Sequence, residues 1–296
     1  MKKIGRLLTA MVTPFNEEGE VDYEQARKLA LALLSSGSEG VVVVGTTGES
    51  PTLVRKEELR LFREVKSAVG ERGAVVAGTG SNSTAEAIET TREAERIGVD
   101  ACLLVVPYYN KPTQEGLYQH FKAIAQSTSL PCILYNVPSR TVTSLSADTV
   151  IKLSQIDNII GVKEASGNLE QISRIISQAR EGFLVWSGND SDTLPILALG
   201  GYGVISVASH LVGRQISEMI GSFISGKTDE AARIHNRLMP LVNALFIVSN
   251  PIPVKYAVNY VGFNVGKPRL PLTEPDEKSA AVIRDTLKNY KIDLPV

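Results

Sequence analysis

Short apolar runs recur along the chain, and most are separated by segments patterned as helices. The runs span Leu7 to Phe15, Gly40 to Gly45, Ala74 to Gly80, Ala101 to Pro107, Cys132 to Pro138, Ile159 to Ser166, Phe183 to Asp190 and Gly203 to His210. Most are continuously apolar, as in Val41-Val42-Val43-Val44, rather than alternating. Continuous hydrophobicity predicts parallel strands covered on both faces. Tyr23 to Leu34 places Ala26, Leu29, Ala30 and Leu33 on one helical stripe. Thr84 to Ile97 opens with Ser83 or Thr84 as cap, carries Ala85, Ala87, Ile88 and Ala94 in helical spacing, and stops at Gly98. Leu169 to Ala179 offers Ile172, Ile175 and Ile176.

Alternating strands and helices on this scale predict an α/β protein. The strand count favours a (β/α)8 TIM barrel over a doubly wound open sheet. After His210 the strand pattern ends. Ile216 to Ile224 reads as the eighth helix, and the remainder as helix only. There Leu238, Leu241, Val242, Leu245 and Phe246 form an apolar stripe, and Ala281 to Asn289 reads as a last helix. The predicted organisation is a barrel over residues 1–226 with a C-terminal helical extension over 227–296.

Composition narrows the classes. With 296 residues, 43 % of them hydrophobic, the chain is long enough for a large buried core. Its 31 basic and 32 acidic residues leave a net charge of −1 without like-charge runs, which points away from nucleic acid and membrane surfaces. Met1 to Arg6 has no apolar stretch after its lysines, and no run reaches membrane-spanning length, so a cytoplasmic protein is expected. Cys102 and Cys132 each open an apolar run and read as buried small hydrophobes. His120, His210 and His235 lack the spacing of a ligand pair. Asp190 and Asp192 read as a turn leading into a helix N-cap rather than as metal ligands, so no metal is expected.

One residue breaks the apolar pattern. Lys163 ends the run Ile159-Ile160-Gly161-Val162-Lys163. Strand alternation puts Ile159, Gly161 and Lys163 on one face and Ile160 and Val162 on the other. A lysine there either caps the strand and reaches water or is held dry for a task. Apolar walls favour the neutral amine, which forms Schiff bases with carbonyl compounds. Gly161 on the same face reads as room for a small ligand.

The neighbouring predicted strand ends move the balance towards chemistry. They carry Gly45-Thr46-Thr47-Gly48-Glu49-Ser50, Pro107-Tyr108-Tyr109-Asn110, Tyr135-Asn136-Val137-Pro138-Ser139-Arg140, Lys163-Glu164 and Ser187-Gly188-Asn189-Asp190. The opposite strand ends show little that is comparable, and barrel enzymes work at the C-terminal ends. Each group alone has a plainer reading: a turn at Thr46-Thr47, a core aromatic at Tyr135, a surface arginine at Arg140, packing or an interface at Tyr108 and Tyr109. No glycine-rich nucleotide motif occurs. Together they suit a small 2-keto acid held as an imine, with Tyr135 moving protons, threonine hydroxyls binding a carboxylate and Arg140 gripping a second one.

Those motifs, with Gly161-Val162-Lys163-Glu164 and Gly203-Val204-Ile205-Ser206, closely resemble the dihydrodipicolinate synthase family, a branch of the pyruvate-dependent class I aldolases. The resemblance covers nearly the whole chain, and Tyr135-Asn136-Val137-Pro138-Ser139-Arg140-Thr141 narrows it within the superfamily. It implies an imine between Lys163 and pyruvate, with Tyr135 as proton donor and acceptor. Thr46 and Tyr109 would complete a relay, with Tyr109 reaching into a neighbouring subunit's site. Thr47 and the Ile205 backbone would hold the pyruvate carboxylate and its surroundings, with Gly188 beside the substrate. Arg140 would bind the carboxylate of L-aspartate 4-semialdehyde. The product would be 4-hydroxy-tetrahydrodipicolinate, on the route to diaminopimelate and lysine. A homotetramer built as a dimer of dimers, without metal or organic cofactor, is implied as well.

Some members of that family respond to lysine. Ser50, Asn82, Glu86 and Tyr108 match such an effector site, whereas Arg55 and Glu58 depart from it, so weak or absent feedback inhibition is expected. The rival readings are a 2-keto-3-deoxy sugar acid or N-acetylneuraminate-type aldolase using the same lysine, and a barrel that binds keto acids without turnover. Arg140 suits a short carboxylated aldehyde better than a polyol.

Overall fold

The computed structural model describes residues 4–296. Among the described residues, eight parallel strands close into a barrel in chain order. They are β1 (Leu7–Ala10), β2 (Gly40–Val43), β3 (Ala74–Gly78), β4 (Ala101–Val105), β5 (Cys132–Asn136), β6 (Ile159–Glu164), β7 (Leu184–Ser187) and β8 (Gly203–Ser206). Helices follow the strands, and the segment after residue 226 holds helices Thr228–Leu245, Ile252–Tyr260 and Glu277–Leu287 without a strand among the described residues.

Every strand is shorter than its apolar run. Met11, Val12, Val106, Val137, Val207 and Ala208 are buried, yet lie beyond the ends of their strands. Apolar character reports burial, whereas a strand ends where its ladder of hydrogen bonds ends. His210, read as the end of a strand, sits instead in the first turn of helix Ser209–Ile224, which kinks at Val212 (φ −130°, ψ 38°).

The helix stripes hold in most positions, with Ile88 and Ile176 only half-buried and Ala85 and Phe246 exposed. Ala26, Leu29, Ala30 and Leu33 are buried. In helix Thr84–Ile97, Ser83 is the cap, and the buried face is Ala87, Thr90, Thr91 and Ala94, while Ala85 is exposed. Thr91 can lie inward because its hydroxyl meets that of Thr79 at 2.8 Å. Phe246 leaves its predicted stripe because helix Thr228–Leu245 ends one residue before it, and it is 43 % exposed. Asp192 takes the N-cap position of helix Thr193–Ala198 without capping it. Its carboxylate accepts from Asn189 Nδ2 at 2.8 Å and Ser191 Oγ at 3.1 Å.

The chain divides into two compact units, one of residues 76–205 together with the segment ending at Arg6, the other of residues 7–75 and 206–296. In the first, Val105, Tyr135, Lys163 and Trp186 stand in register across β4 to β7. Trp186 is fully buried, donates its indole N–H to Gly5 O at 3.0 Å and meets Tyr202 edge to face. In the second, β1 and β2 pair through Leu8–Gly40, Thr9–Val41 and Ala10–Val42. Thr9 is buried there between the hydroxyls of Ser38 and Ser209, at 2.6 and 2.8 Å.

Candidate active site

Lys163 and Tyr135 are register partners, each one residue before the end of its strand. Both are 6 % exposed, and the lysine Nζ lies 4.2 Å from the centre of the tyrosine ring. The ring face is a weak partner for an ammonium and no proton acceptor. Among the described residues Lys163 makes no ion pair. Lys255, the other deeply buried lysine, is fully matched: its Nζ bonds Glu49 Oε1 at 2.8 Å, Thr13 O at 3.0 Å and Lys267 O at 3.1 Å. A dry lysine without a counter-charge is costly and marks a task rather than a scaffold.

The next residues along the two strands form a second rung. Asn136 and Glu164 are register partners and fully buried. Asn136 Nδ2 donates to both Glu164 oxygens, at 2.9 and 3.3 Å, and Asn136 Oδ1 accepts from Leu145 N at 3.0 Å. Ser166 N donates to Glu164 at 3.1 Å. Burial raises the Glu164 pKa, with these donors pulling the other way. Strand alternation places this rung on the opposite face from Tyr135 and Lys163, so it ties β5 to β6 behind them.

Two glycines shape the space around the lysine. A Cβ on Gly161 would lie 2.2 Å from Leu184 O and 2.7 Å from the Trp186 ring. The gap expected there for a ligand is therefore filled by the neighbouring strand and the indole. A Cβ on Gly188 would lie 2.7 Å from Ala165 Cβ and 3.2 Å from Lys163 Cε. Gly188 thus keeps clear the space beside the lysine stem. Ile205, one residue before the end of β8, is fully buried.

The rim carries the remaining candidates of this unit. Arg140 is exposed on the helical turn Pro138–Thr141 that follows β5. Tyr109 is 90 % exposed and sits in the left-handed region at φ 74°. Asn82 Nδ2 donates to Tyr108 O at 3.1 Å, and Asn110 Nδ2 to Asn82 O at 2.8 Å, so Asn82 and Tyr108 are brought together. Glu86 accepts from Ser81 Oγ at 2.9 Å. The cysteines Cys102 and Cys132 are register partners, buried and free, and burial pushes the Cys102 thiol up to about 12.

In the other unit, Thr46–Gly48 forms a tight turn after β2, closed by Gly48 N to Gly45 O at 3.0 Å. Thr47 is 4 % exposed, and its Oγ1 accepts from Asn250 Nδ2 at 3.0 Å. Thr13 Oγ1 donates to Gly48 O at 2.6 Å. Glu49 follows in the left-handed region, at φ 58°. Lys255 holds one of its oxygens and Arg269 N the other, at 2.9 Å. Arg269 in turn grips Glu57 bidentately at 2.7 and 2.9 Å. Burial lowers the Lys255 pKa to about 8, with Glu49 opposing the shift. Ser50 follows in this same unit, and Arg55 Nε lies 3.9 Å from Glu58 Oε2.

Asn136, Glu164, Asn250 and Lys255 hold this framework together without a role expected from the sequence. Lys255 carried the signal that singled out Lys163, a lone lysine in the apolar run Val254-Lys255-Tyr256-Ala257-Val258. Nothing local marks Asn250, whose partner is about 200 residues away. Among the described residues no group of three His, Cys, Asp or Glu side chains could hold a metal ion, and no helix is long and apolar enough to cross a membrane.

The fold and these strand ends define a (β/α)8-barrel protein with a buried lysine beside a tyrosine. The chain matches the Dihydrodipicolinate synthetase family over residues 3–290 and belongs to it. It is 70 % identical, over the whole of both chains, to the 4-hydroxy-tetrahydrodipicolinate synthase of Dehalococcoides mccartyi (strain ATCC BAA-2266 / KCTC 15142 / 195). The enzyme of that name from Moorella thermoacetica is 56 % identical over 95 % of this chain and 98 % of its own. Among solved structures, the dihydrodipicolinate synthase of Bacillus anthracis superposes with a TM-score of 0.96 at 45 % identity, covering 98 % of this chain and 100 % of the other. The Cyanidioschyzon merolae enzyme with lysine bound gives a TM-score of 0.95 at 49 % identity, covering 97 % and 98 %.

Proposed function

We infer that the chain condenses pyruvate with L-aspartate 4-semialdehyde to give 4-hydroxy-tetrahydrodipicolinate, an intermediate on the way to diaminopimelate and lysine. One observation carries the reading: a dry, unpaired lysine beside a tyrosine at a barrel strand end, in a family whose curated relatives bear that enzyme's name.

Lys163 Nζ, when neutral, attacks the pyruvate C2 carbonyl. The carbinolamine loses water only if its oxygen receives a proton, and Tyr135 is the group at hand to deliver it. Loss of a proton from C3 of the imine yields an enamine, the nucleophile towards the aldehyde. Thr46 and Tyr109 complete the proton relay. Thr47 and the Ile205 backbone hold the pyruvate carboxylate, and Gly188 leaves the room beside the lysine. Arg140, exposed just after β5, offers a bidentate grip to the carboxylate of the semialdehyde.

Tyr109 supports a multimeric enzyme. A large aromatic that is 90 % exposed on left-handed backbone is an unfavourable lone surface group and a suitable one for a neighbouring subunit's site. We assign the assembly as a homotetramer, a dimer of dimers. Ser50, Asn82, Glu86 and Tyr108 are assigned as a vestigial effector site, with lysine titrated against activity expected to inhibit weakly or not at all. The test of the main reading is turnover by the purified chain with both substrates, the product identified by mass spectrometry. Consumption of the semialdehyde faster than cleavage of 2-keto-3-deoxy sugar acids supports it. Preference for the sugar acids overturns the assigned aldehyde.

A further inference from the structure

Thr47 presents an incomplete hydrogen-bond account. A hydroxyl has one hydrogen to give and two lone pairs. The Thr47 oxygen accepts from Asn250 Nδ2 at 3.0 Å in a site where Thr47 is 4 % and Asn250 6 % exposed. With an N–H aimed at its oxygen, the hydroxyl hydrogen must point elsewhere. Among the described residues no protein acceptor takes it. A buried hydroxyl hydrogen left without an acceptor costs stability, so such a donor persists where a ligand completes it.

The segment that supplies Asn250 is itself anchored to the same turn. Lys255, five residues on in helix Ile252–Tyr260, bonds Glu49 at 2.8 Å and Thr13 O at 3.0 Å. Thr13 Oγ1 holds Gly48 O at 2.6 Å. The Thr46–Glu49 turn is thus gripped at Thr47 and again at Glu49 by groups of one short segment. Two attachment points fix the orientation of a turn, where one would leave it free to rock.

We propose that Asn250 is a positioning residue that orients the Thr47 hydroxyl as a hydrogen-bond donor to the carboxylate of the keto acid. The amide acts through the threonine and touches no reacting atom. The inference rests on the reading of Thr47 as a carboxylate-binding residue. Asparagine suits the task because its amide donates, whereas an aspartate would accept the hydroxyl hydrogen and turn it away from the substrate.

Asn250→Asp, Asn250→Leu, Thr47→Val and the double variant Thr47→Val/Asn250→Asp provide the test. KM is measured for each substrate, and circular dichroism checks folding. Asn250→Asp is expected to raise the pyruvate KM about tenfold, with the semialdehyde KM and kcat within about twofold, the pattern of lost binding rather than lost structure. Asn250→Leu removes the donor without burying a charge and is expected to shift the pyruvate KM in the same direction, which keeps the test open if the aspartate variant misfolds. In the Thr47→Val background the Asn250→Asp change should add nothing further. An unchanged pyruvate KM in a folded Asn250 variant overturns the proposal, as does a full additional effect in the double variant. If Thr47→Val itself leaves the pyruvate KM unchanged, the carboxylate role of Thr47 is what fails.

Discussion

Lys163 and Lys255 are both buried lysines, put to opposite uses by their partners. Lys255 has a carboxylate and two carbonyls around its ammonium group. Lys163 has the face of a tyrosine and the empty side of a glycine. At this scale Gly188 is the sharpest single test. A Cβ there would stand 3.2 Å from Lys163 Cε and 2.7 Å from Ala165 Cβ. Gly188→Ala is expected to lose stability, because Ala165 Cβ and the Glu164 carbonyl must shift, and in the fraction that stays folded to lose most of its imine formation because the lysine stem is pushed off its track. A Gly188→Ala variant with wild-type kcat/KM for pyruvate would show that the clearance is incidental. Sequence reading reached Lys163 because a lone charge in an apolar run is visible without a structure. It missed the use of Gly161, since an absent side chain does not say whether a ligand or an indole fills the gap.

Elements were legible in kind and order, and less so in extent. All eight strands lie inside their apolar runs, but Val106 and Val137 stay buried past the last ladder bond, so the runs overshoot. Ala85 and Phe246 left their stripes, one outward where Thr90 and Thr91 turn in, the other because its helix ends at Leu245. The loops after β2, β4 and β5 share a feature the pattern could not reveal. Val44, Glu49, Tyr109, Lys111 and Val142 all take positive φ there, and they are the non-glycine residues that do so among the described residues. Backbone strain of this kind persists only where surrounding contacts over-determine it. For Glu49 those contacts are Lys255 and Arg269 N. Glu49→Gln or Lys255→Met alone is expected to cost about 3–5 kcal/mol in urea unfolding, because each strands its partner's buried charge. The pair Glu49→Gln/Lys255→Met should recover part of that loss, though not all, since Thr13 O and Lys267 O remain without the lysine's N–H groups. Strict additivity would mean that the two side chains do not act as a pair.

At the scale of the whole molecule, acid sensitivity follows from two histidines held neutral. Burial lowers His210 and His120 to about 4 from the usual 6.5. His210 Nε2 accepts from Val12 N at 3.2 Å and its Nδ1 meets Val207 O at 2.9 Å, so a second ring proton would oppose the Val12 N–H. Between pH 6.5 and 4 these two histidines bind more protons in the unfolded chain than in the folded one, so their contribution to stability rises with pH there and is lost on acidification, while Glu164, raised by burial, works the other way. Each histidine accounts for up to about 3 kcal/mol of stability lost across that window. Urea midpoints should therefore fall steeply from pH 6.5 towards 4, and His210→Gln should fall less steeply from a lower value at pH 7. A wild-type midpoint that stays flat across this window would contradict the neutral assignment.

Borohydride reduction of the enzyme–pyruvate mixture, read by intact and peptide mass spectrometry, traps an imine between Lys163 and pyruvate if one forms. One reduced pyruvyl group per chain is expected, located on Lys163 and absent from a Lys163→Ala variant. No adduct under conditions where pyruvate is shown to bind, or an adduct on a different lysine, would contradict that expectation.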